Sequence, residues 1–320
     1  MKPLLSRIAS ITVVAVALGA LGGCSLFEPD RHEGTYEIAG GSATGVYFAY
    51  GEQMATVLTA ESGTDFTIAE TNGSVENLLR VGTGDALLGF AQSDAAADAV
   101  AGVGEFEEPL PIRALARLYD EYVHVVVREG SEIGDITDLA GHTVSLGAEH
   151  SGVAVVASRI LTAAGVDEAS VENPRLDLGE SIEAMEQGEI DGFFWVGGLP
   201  TPGIENLVES VPTRLLPVDA ELVDRVNSVH DGVYRVSDFP VGAYGHDEPT
   251  STMTVPNFLI ASDAAPDDLI TDALRIIFDA RAEIAQFVPA FALLDRRQAI
   301  YTDPITLHPG AIEYYRGVRR

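Results

Sequence analysis

The chain has 320 residues, 46% of them apolar, with 32 glycines and a formal net charge of −30. That length allows one large domain or two of ordinary size, and the composition excludes a disordered chain. Its only cysteine, Cys24, and only lysine, Lys2, lie near the N-terminus, so the rest of the chain can form no disulfide, cysteine-ligated metal site, lysine-bearing phosphate loop or Schiff base.

The chain opens with Lys2 and Arg7 around an apolar run, "IASITVVAVALGA", that ends at "LGGC". The run is short for a membrane span and fits a secretory signal. Leu21-Gly22-Gly23-Cys24 resembles a bacterial lipobox, in which the cysteine is acylated and becomes the mature N-terminus; a plain signal peptide with a chance cysteine is the alternative. The expectation is a lipoprotein signal peptide over 1–23, lipidation of Cys24, and a tether over 24–34. Such a protein is extracytoplasmic and anchored to the cell membrane without spanning it. Without Lys2 and Arg7 the chain keeps 17 basic residues, all arginine, against 49 acids, about −32. Such a surface repels nucleic acid and anionic headgroups. The acids are scattered, which fits an arginine-for-lysine composition better than an acidic interaction surface.

From Thr35 short β-rich runs alternate with helical stretches. "YEIAG" leads to a helix from about Val46 to Leu58, with a stripe of Tyr47, Tyr50, Met54, Val57 and Leu58. "DFTIAET" leads to a helix near Val75–Val81, and "DALLGFAQS" to one near Asp94–Val100. "IRALARLYDEYVHVVV" reads as two strands or one long bent one. "HTVSLGAEHSG" passes into a helix over Val153–Ala164. "SVENPRLDL" reads as a strand, Glu180–Gln187 as a helix, and "EIDGFFWVGG" follows. "TPGIENLVES" is helical, "TRLLPV" a strand, 227–250 loop-rich, "TSTMTVPNFLIAS" a strand, and the rest to about Gln298 helical. No tandem repeat appears, so a solenoid is not expected.

Repeated β-turn-α units predict an α/β fold with mostly parallel sheets flanked by helices. The β-rich segments near 120–128 and 250–261 predict two lobes joined by two crossing strands. Lobe 1 would comprise 35–125 and 252–320; lobe 2 and its hinge-side loop would comprise 126–251. Ligands bind outside the carboxyl ends of such strands, and two facing lobes make a cleft that closes about a hinge.

Five strand-to-helix turns should face that cleft: Gly40–Gly45, Thr71–Ser74, Gln92–Asp94, Glu149–Gly152 and Gly197–Thr201. The first amides of a helix lack partners and carry partial positive charge, so these ends suit an anion. Ordinary capping by Ser42, Ser74, Ser93 and Ser151 is the competing reading. Catalysis is poorly supported. "GGSATG" has Thr44 where a nucleophile elbow needs glycine, and the seven histidines show no metal-ligand spacing. His150 is either a ligand donor or a solvated turn residue. Trp195, beside Gly197 and Gly198, is either core or pocket wall. No Ser–His–Asp set is singled out.

Eight fragments in order resemble the TAXI family of solute receptors, the extracytoplasmic components of tripartite ATP-independent periplasmic (TRAP) transporters. They are "AGGSATGVYFAYGEQMA", "ETNGSVENLLRV", "GDALLGFAQSDAA", "LARLYDEYVHVVVRE", "DLAGHTVSLGAEHSG", "EIDGFFWVGGLP", "PVGAYG" and "HPGAIEYYRG". The resemblance runs from about residue 35 to the C-terminus. It implies a two-lobed periplasmic-binding-protein fold (type II-like) and no enzymatic activity, cofactor or metal. It further implies delivery of a solute to a membrane permease driven by an ion gradient. Family ligands include glutamate-like amino acids and 2-oxoglutarate-type dicarboxylates. Family cleft positions map onto Gly41, Ser42, Thr44 and Tyr47, onto Asn72 and Ser74, and onto Gln92 and Ser93. Across the cleft they map onto His150, Ser151, Gly197 and Pro200, with Tyr244 in the hinge-side loop.

Glu149-His150 departs from the small or proline-glycine residues often found before the family's "SG" turn, which predicts a change in pocket size or ligand charge. Arg113, Arg117 and Arg175 lie near strands and outside the predicted cleft turns. Helix ends, hydroxyls and Gln92 are therefore expected to hold a ligand carboxylate instead of the bidentate arginine such anions often meet. A solute-sensing surface lipoprotein and a secreted hydrolase are the alternatives.

Overall fold

A computed structural model describes residues 34–230 and 232–318. The signal-peptide and lipid-anchor readings, and the tether up to residue 33, lie outside the described residues. Among the described residues no helix is long and apolar enough to cross a membrane.

The chain begins with three strand–helix units: β1 (Thr35–Ala39) and α1 (Val46–Ser62), β2 (Asp65–Ala69) and α2 (Ser74–Thr83), β3 (Leu88–Gln92) and α3 (Ser93–Ala101). Helix α1 buries Val46, Tyr50, Met54, Ala55 and Leu58, the three-and-four spacing that puts apolar side chains on one face. All three helices stop at a glycine in the left-handed conformation, Gly63, Gly84 and Gly102, where a side chain would be strained.

A long strand, β4 (Ile112–Arg128), follows; then come β5 (Val144–Ser145), α4 (Gly152–Ala164), α5 (Leu178–Gln187), β6 (Gly192–Gly197), α6 (Pro202–Ser210), β7 (Thr213–Leu215), α7 (Ala220–Asn227) and β8 (Arg235–Phe239). A second long strand, β9 (Thr250–Ser262), leads to α8 (Asp267–Asp279), α9 (Arg281–Ile284) and α10 (Pro309–Gly317).

Among the described residues all nine strands form one sheet in the order β2-β1-β3-β9-β4-β6-β5, with β7 added to β4 and β8 to β9. Pairing is parallel at the outer strands, β1 with β2 and β3, and β5 with β6. It is antiparallel wherever β4 or β9 takes part. The sheet is thus mixed, where the local repetition predicts a mostly parallel one. Its two longest strands are each other's partners, from Ile112 against Ser262 to Tyr122 against Thr254, and such remote pairing leaves no local pattern.

Both long strands serve both ends of the sheet. At the β1–β3 end, Leu259 joins Ile38, Tyr50, Met54 and Phe291 on one face, while Phe258 joins Leu78 and Ala95 on the other. At the β6 end, Val125 joins Ile160, Val223 and Met253 on one face, while Val126 joins Met185, Phe193 and Phe239 on the other. This two-residue alternation is what a sheet covered on both sides requires.

Three local expectations differ. "SVENPRLDL" forms only an isolated bridge: Val144 N donates to the Glu172 carbonyl and Glu172 N to that of His142, but Pro174 and the left-handed Arg175 (φ 57°) end the extended run. The stretch 227–250, read as loop-rich, holds β8, and α7 before it is capped by Asp219. Helix does not continue to Gln298; it returns in α10, opened by Pro309 behind the N-cap His308.

Tyr50 stacks on Phe291 with centroids 4.1 Å apart, and its buried hydroxyl has no hydrogen-bond partner. An unsatisfied buried hydroxyl carries its desolvation cost without compensation. Tyr50→Phe should therefore stabilise the protein by about 1 kcal/mol in urea denaturation. A loss of stability would mean that the hydroxyl is bonded in solution.

Candidate functional site

A narrow cleft lies where the two halves of the sheet meet. One wall carries Gly41, Ser42 and Gly45 to Tyr47, then Asn72 to Ser74, and Gln92 at the end of β3. The other carries Gly147, Ala148, the start of α4, Leu176 to Leu178, and Phe194 to Gly197 at the end of β6. Glu121, on β4, lies between them.

The walls touch. The Trp195 ring lies over Gly45, and a methyl there would stand 3.1 Å from it. Gly152 abuts Gln92 and Ser74, and a methyl on it would lie only 2.5 Å from Gln92 Oε1. The Glu76 amide donates to the His150 carbonyl at 3.0 Å, and the Gly203 amide to the Thr44 carbonyl at 3.3 Å. Space wide enough for a water-sized body is about 30 Å³, room for one or two waters. A solute must part these walls to enter.

The helices that begin at the cleft differ in how their first amides are satisfied. Helix α4 is capped by Ser151, whose hydroxyl accepts from Ala154 N at 3.0 Å, and α5 by Asp177 in a reciprocal capping box with Glu180. Helices α1 and α2 start after Gly45 and Gly73 and have no side-chain cap; the φ of 110° at Gly73 suits glycine alone. The ordinary-capping reading therefore holds for Ser151 and not for Ser42, Ser74 or Ser93. Ser42 faces Thr44 at 3.2 Å, Ser74 accepts from the Gln92 amide at 3.1 Å, and the buried Ser93 hydroxyl has no partner.

Glu121 is the cleft's chemical centre, and nothing in the sequence motifs points to it. Its side chain is fully enclosed, 1% exposed. Tyr47 donates to Oε2 at 3.1 Å and Asn257 to Oε1 at 3.2 Å, with the Tyr119 hydroxyl 3.5 Å from Oε1. Burial pushes its carboxyl up to about 8, against hydrogen bonds from Tyr47, Gln92 and Asn257 that favour the charged form. Burial thus favours its neutral, protonated form. Gln92 Oε1 and Asn257 Oδ1 are both buried and lack partners. No arginine, lysine or histidine lines the cleft among the described residues.

Of the residues proposed from sequence, Gly41, Ser42, Tyr47, Asn72, Ser74, Gln92, Ser151, Trp195 and Gly197 lie together on its walls. Five do not. Thr44 is exposed at the rim, and Ser93 is buried at the start of α3. Pro200 is exposed beyond the end of β6. Tyr244 is held away by His124 Nε2 at 2.8 Å and by the Thr201 amide at 3.0 Å. His150 turns outward to Glu105, 3.7 Å away, and Glu149 to Arg175 at 3.3 Å. Both side chains of the Glu149-His150 pair thus face an outer groove. Arg117 is bound to Asp120 at 2.6 Å and Arg113 lies by Asp263. Besides Glu121, the sequence reading misses Asp177, whose capping box with Glu180 was a visible signal.

Beside the cleft, a buried ionic cluster joins α3 to α4. Arg159 reaches Asp94 at 2.8 Å and Asp98 at 2.5 Å, and donates to Tyr234 at 2.9 Å, while Tyr234 donates to Asp94 at 2.6 Å. It ties the β3 side of the cleft to the β6 side.

Several solved structures have a similar fold. A periplasmic transporter matches with a TM-score of 0.56 at 11% identity, covering 91% of this chain and 94% of the other. PhnD1 from Prochlorococcus marinus, solved with methylphosphonate, matches at 0.53 and 10%, covering 89% and 96%. An ancestral arginine-binding protein bound to arginine matches at 0.51 and 11%, covering 80% and 98%. The chain is similar to these in its α/β periplasmic-binding-protein fold. The sequence itself matches the NMT1-like family over residues 38–318, a span that takes in both walls of the cleft and the two long strands beneath it, and the chain belongs to that family.

Proposed function

We propose that this protein is an extracytoplasmic solute receptor that closes on a small carboxylate and delivers it to a membrane permease. One observation carries the reading. The uncapped amino ends of α1 and α2 face the start of α4 across a cleft too narrow to admit a solute without opening. Such ends offer N–H groups and partial positive charge to an anion, although the Glu76 amide of α2 is already given to His150. The lobes are residues 35–125 with 252–320, and 126–251, and they part about β4 and β9. Ligand contacts bridging both walls favour the closed state in proportion to how much better they are made there.

The resemblance to TAXI receptors supports a TRAP-type permease and an ion gradient as the energy source, and the lipobox supports an anchor at Cys24. The similar folds include one solved with a phosphonate and one with an amino acid, which is consistent with a small polar solute.

Calorimetric titration of the purified protein with L-glutamate, 2-oxoglutarate and succinate tests the reading. At least one should bind saturably and raise stability by about 2.7 kcal/mol at a hundredfold excess over Kd. Gly152→Val, which props the walls apart, should weaken that binding tenfold or more while leaving the unliganded melting temperature within a few degrees. Absence of binding by any carboxylate solute overturns the proposal.

A further inference from the structure

The two walls of the cleft differ in chemistry. The wall of α1 and α2 carries the polar groups: their amino ends have no side-chain cap, and Ser42, Tyr47 and Ser74 bring hydroxyls to it. The opposite wall has its helix ends closed, α4 by Ser151 and α5 by Asp177. What it offers instead is apolar surface, from Leu176, Leu178, Phe194 and Trp195. The indole's one polar atom is already used, Nε1 donating to Thr201 Oγ1 at 3.2 Å. The far edge of that ring reaches Gly45, where α1 begins. A carboxylate at that helix end therefore has an aromatic ring as its neighbour across the cleft.

We infer that the solute is a monocarboxylate with an uncharged, apolar body, its carboxylate at the α1 and α2 ends and its body on Trp195 and Phe194, and that Asp177 excludes a second negative charge. The inference rests on the carboxylate-receptor reading and narrows it to acids whose far end is uncharged.

Two features oppose a second carboxylate. No arginine, lysine or histidine lines the cleft among the described residues, so that group would be desolvated without a cation. It would also meet negative charge. Asp177 lines the wall between Leu176 and Leu178, and burial, with Glu180 and Glu70 nearby, holds its carboxyl above the usual range. Nor is Asp177 free to receive a cation, because it accepts from the α5 amides of Gly179 and Glu180, the latter at 2.8 Å. An apolar body meets neither difficulty, and it leaves water for the faces of Trp195 and Phe194.

The test is calorimetry at neutral pH over a range of temperatures, using 4-methylpentanoate against succinate and pentanoate against 4-aminobutanoate. The members of each pair have nearly the same shape and differ in the charge of the far end. The acid with the uncharged end should bind about tenfold or more tightly than its partner, with the more negative heat-capacity change that marks apolar burial. Asp177→Asn, which still caps α5, should narrow the gap between 4-methylpentanoate and succinate about threefold or more, with the fold retained by circular dichroism. Three results overturn this inference and leave the receptor reading standing: a charged-end acid binding as tightly as its partner, equal heat-capacity changes, or a gap that Asp177→Asn leaves unchanged. Failure of all four solutes, and of L-glutamate and 2-oxoglutarate, overturns the receptor reading as well.

Discussion

Arg159→Ala should cost about 3–5 kcal/mol of folding stability, because it leaves a buried carboxylate without its cation. Asp94 is 3% exposed and would keep only the Tyr234 hydroxyl as a partner. Burial disfavours the charge on Arg159, yet Asp94, Tyr234 and Asp98 together hold its guanidinium firmly protonated. The pair is therefore worth far more intact than broken. Urea denaturation reads the effect directly, and a loss under 1 kcal/mol would place the cluster among solvent-screened surface pairs. Because the cluster joins the two sides of the cleft, the variant should also bind solute less tightly than its lost stability alone explains. Asp94→Asn, which removes the buried charge and keeps the shape, should be the milder change.

The second large effect is in pH dependence. An unfolded Glu121 titrates in the ordinary range near 4.5, while the folded group titrates at about 8. Between these values the folded state holds a proton that the unfolded chain has lost. Stability from this group is full below the unfolded value and falls as pH rises, by about 1.4 kcal/mol per unit, until it levels off near the folded value. His124 acts in the opposite sense. Burial drives it down to about 3, so only the unfolded chain takes up its proton as pH falls below about 6.5. The window from pH 6.5 to 8 therefore isolates Glu121. The wild-type protein should lose stability across that window, and Glu121→Gln should lose about 1.4 kcal/mol per unit less. Equal slopes in the two proteins would show that Glu121 ionises normally.

These two predictions concern groups of unequal legibility. Cleft walls built from strand-to-helix turns could be read from composition, because glycine and hydroxyl residues before an apolar stripe mark a helix start. Gly41, Ser42, Asn72, Ser74 and Gln92 follow from that pattern. Glu121 does not, since a lone "DE" in a strand matches no ligand or catalytic motif. A signal was present: strand alternation puts Glu121 on the face of Tyr119 and Val123, both buried. Its chemical state could not be read, because it depends on Asn257 and Gln92, brought in by β9 and β3. Tyr244 and Pro200 show the converse: they lie off the cleft walls, Tyr244 held by His124. The sheet's mixed character was equally hidden, since Tyr122 opposite Thr254 is a relation between distant segments.

The position of β9 sets the order in which the molecule can be built. During synthesis β3 emerges early, and its partner for Leu88 to Gln92 is Asn257 to Ala261. Until that segment leaves the ribosome, β3 presents an apolar edge with unpaired backbone groups, the kind of surface that invites aggregation. The first three strand–helix units therefore gain the second neighbour of β3 only once β9 is made. A nascent chain of this topology stays incomplete until nearly its last quarter is made, and contacts of such long range fold slowly.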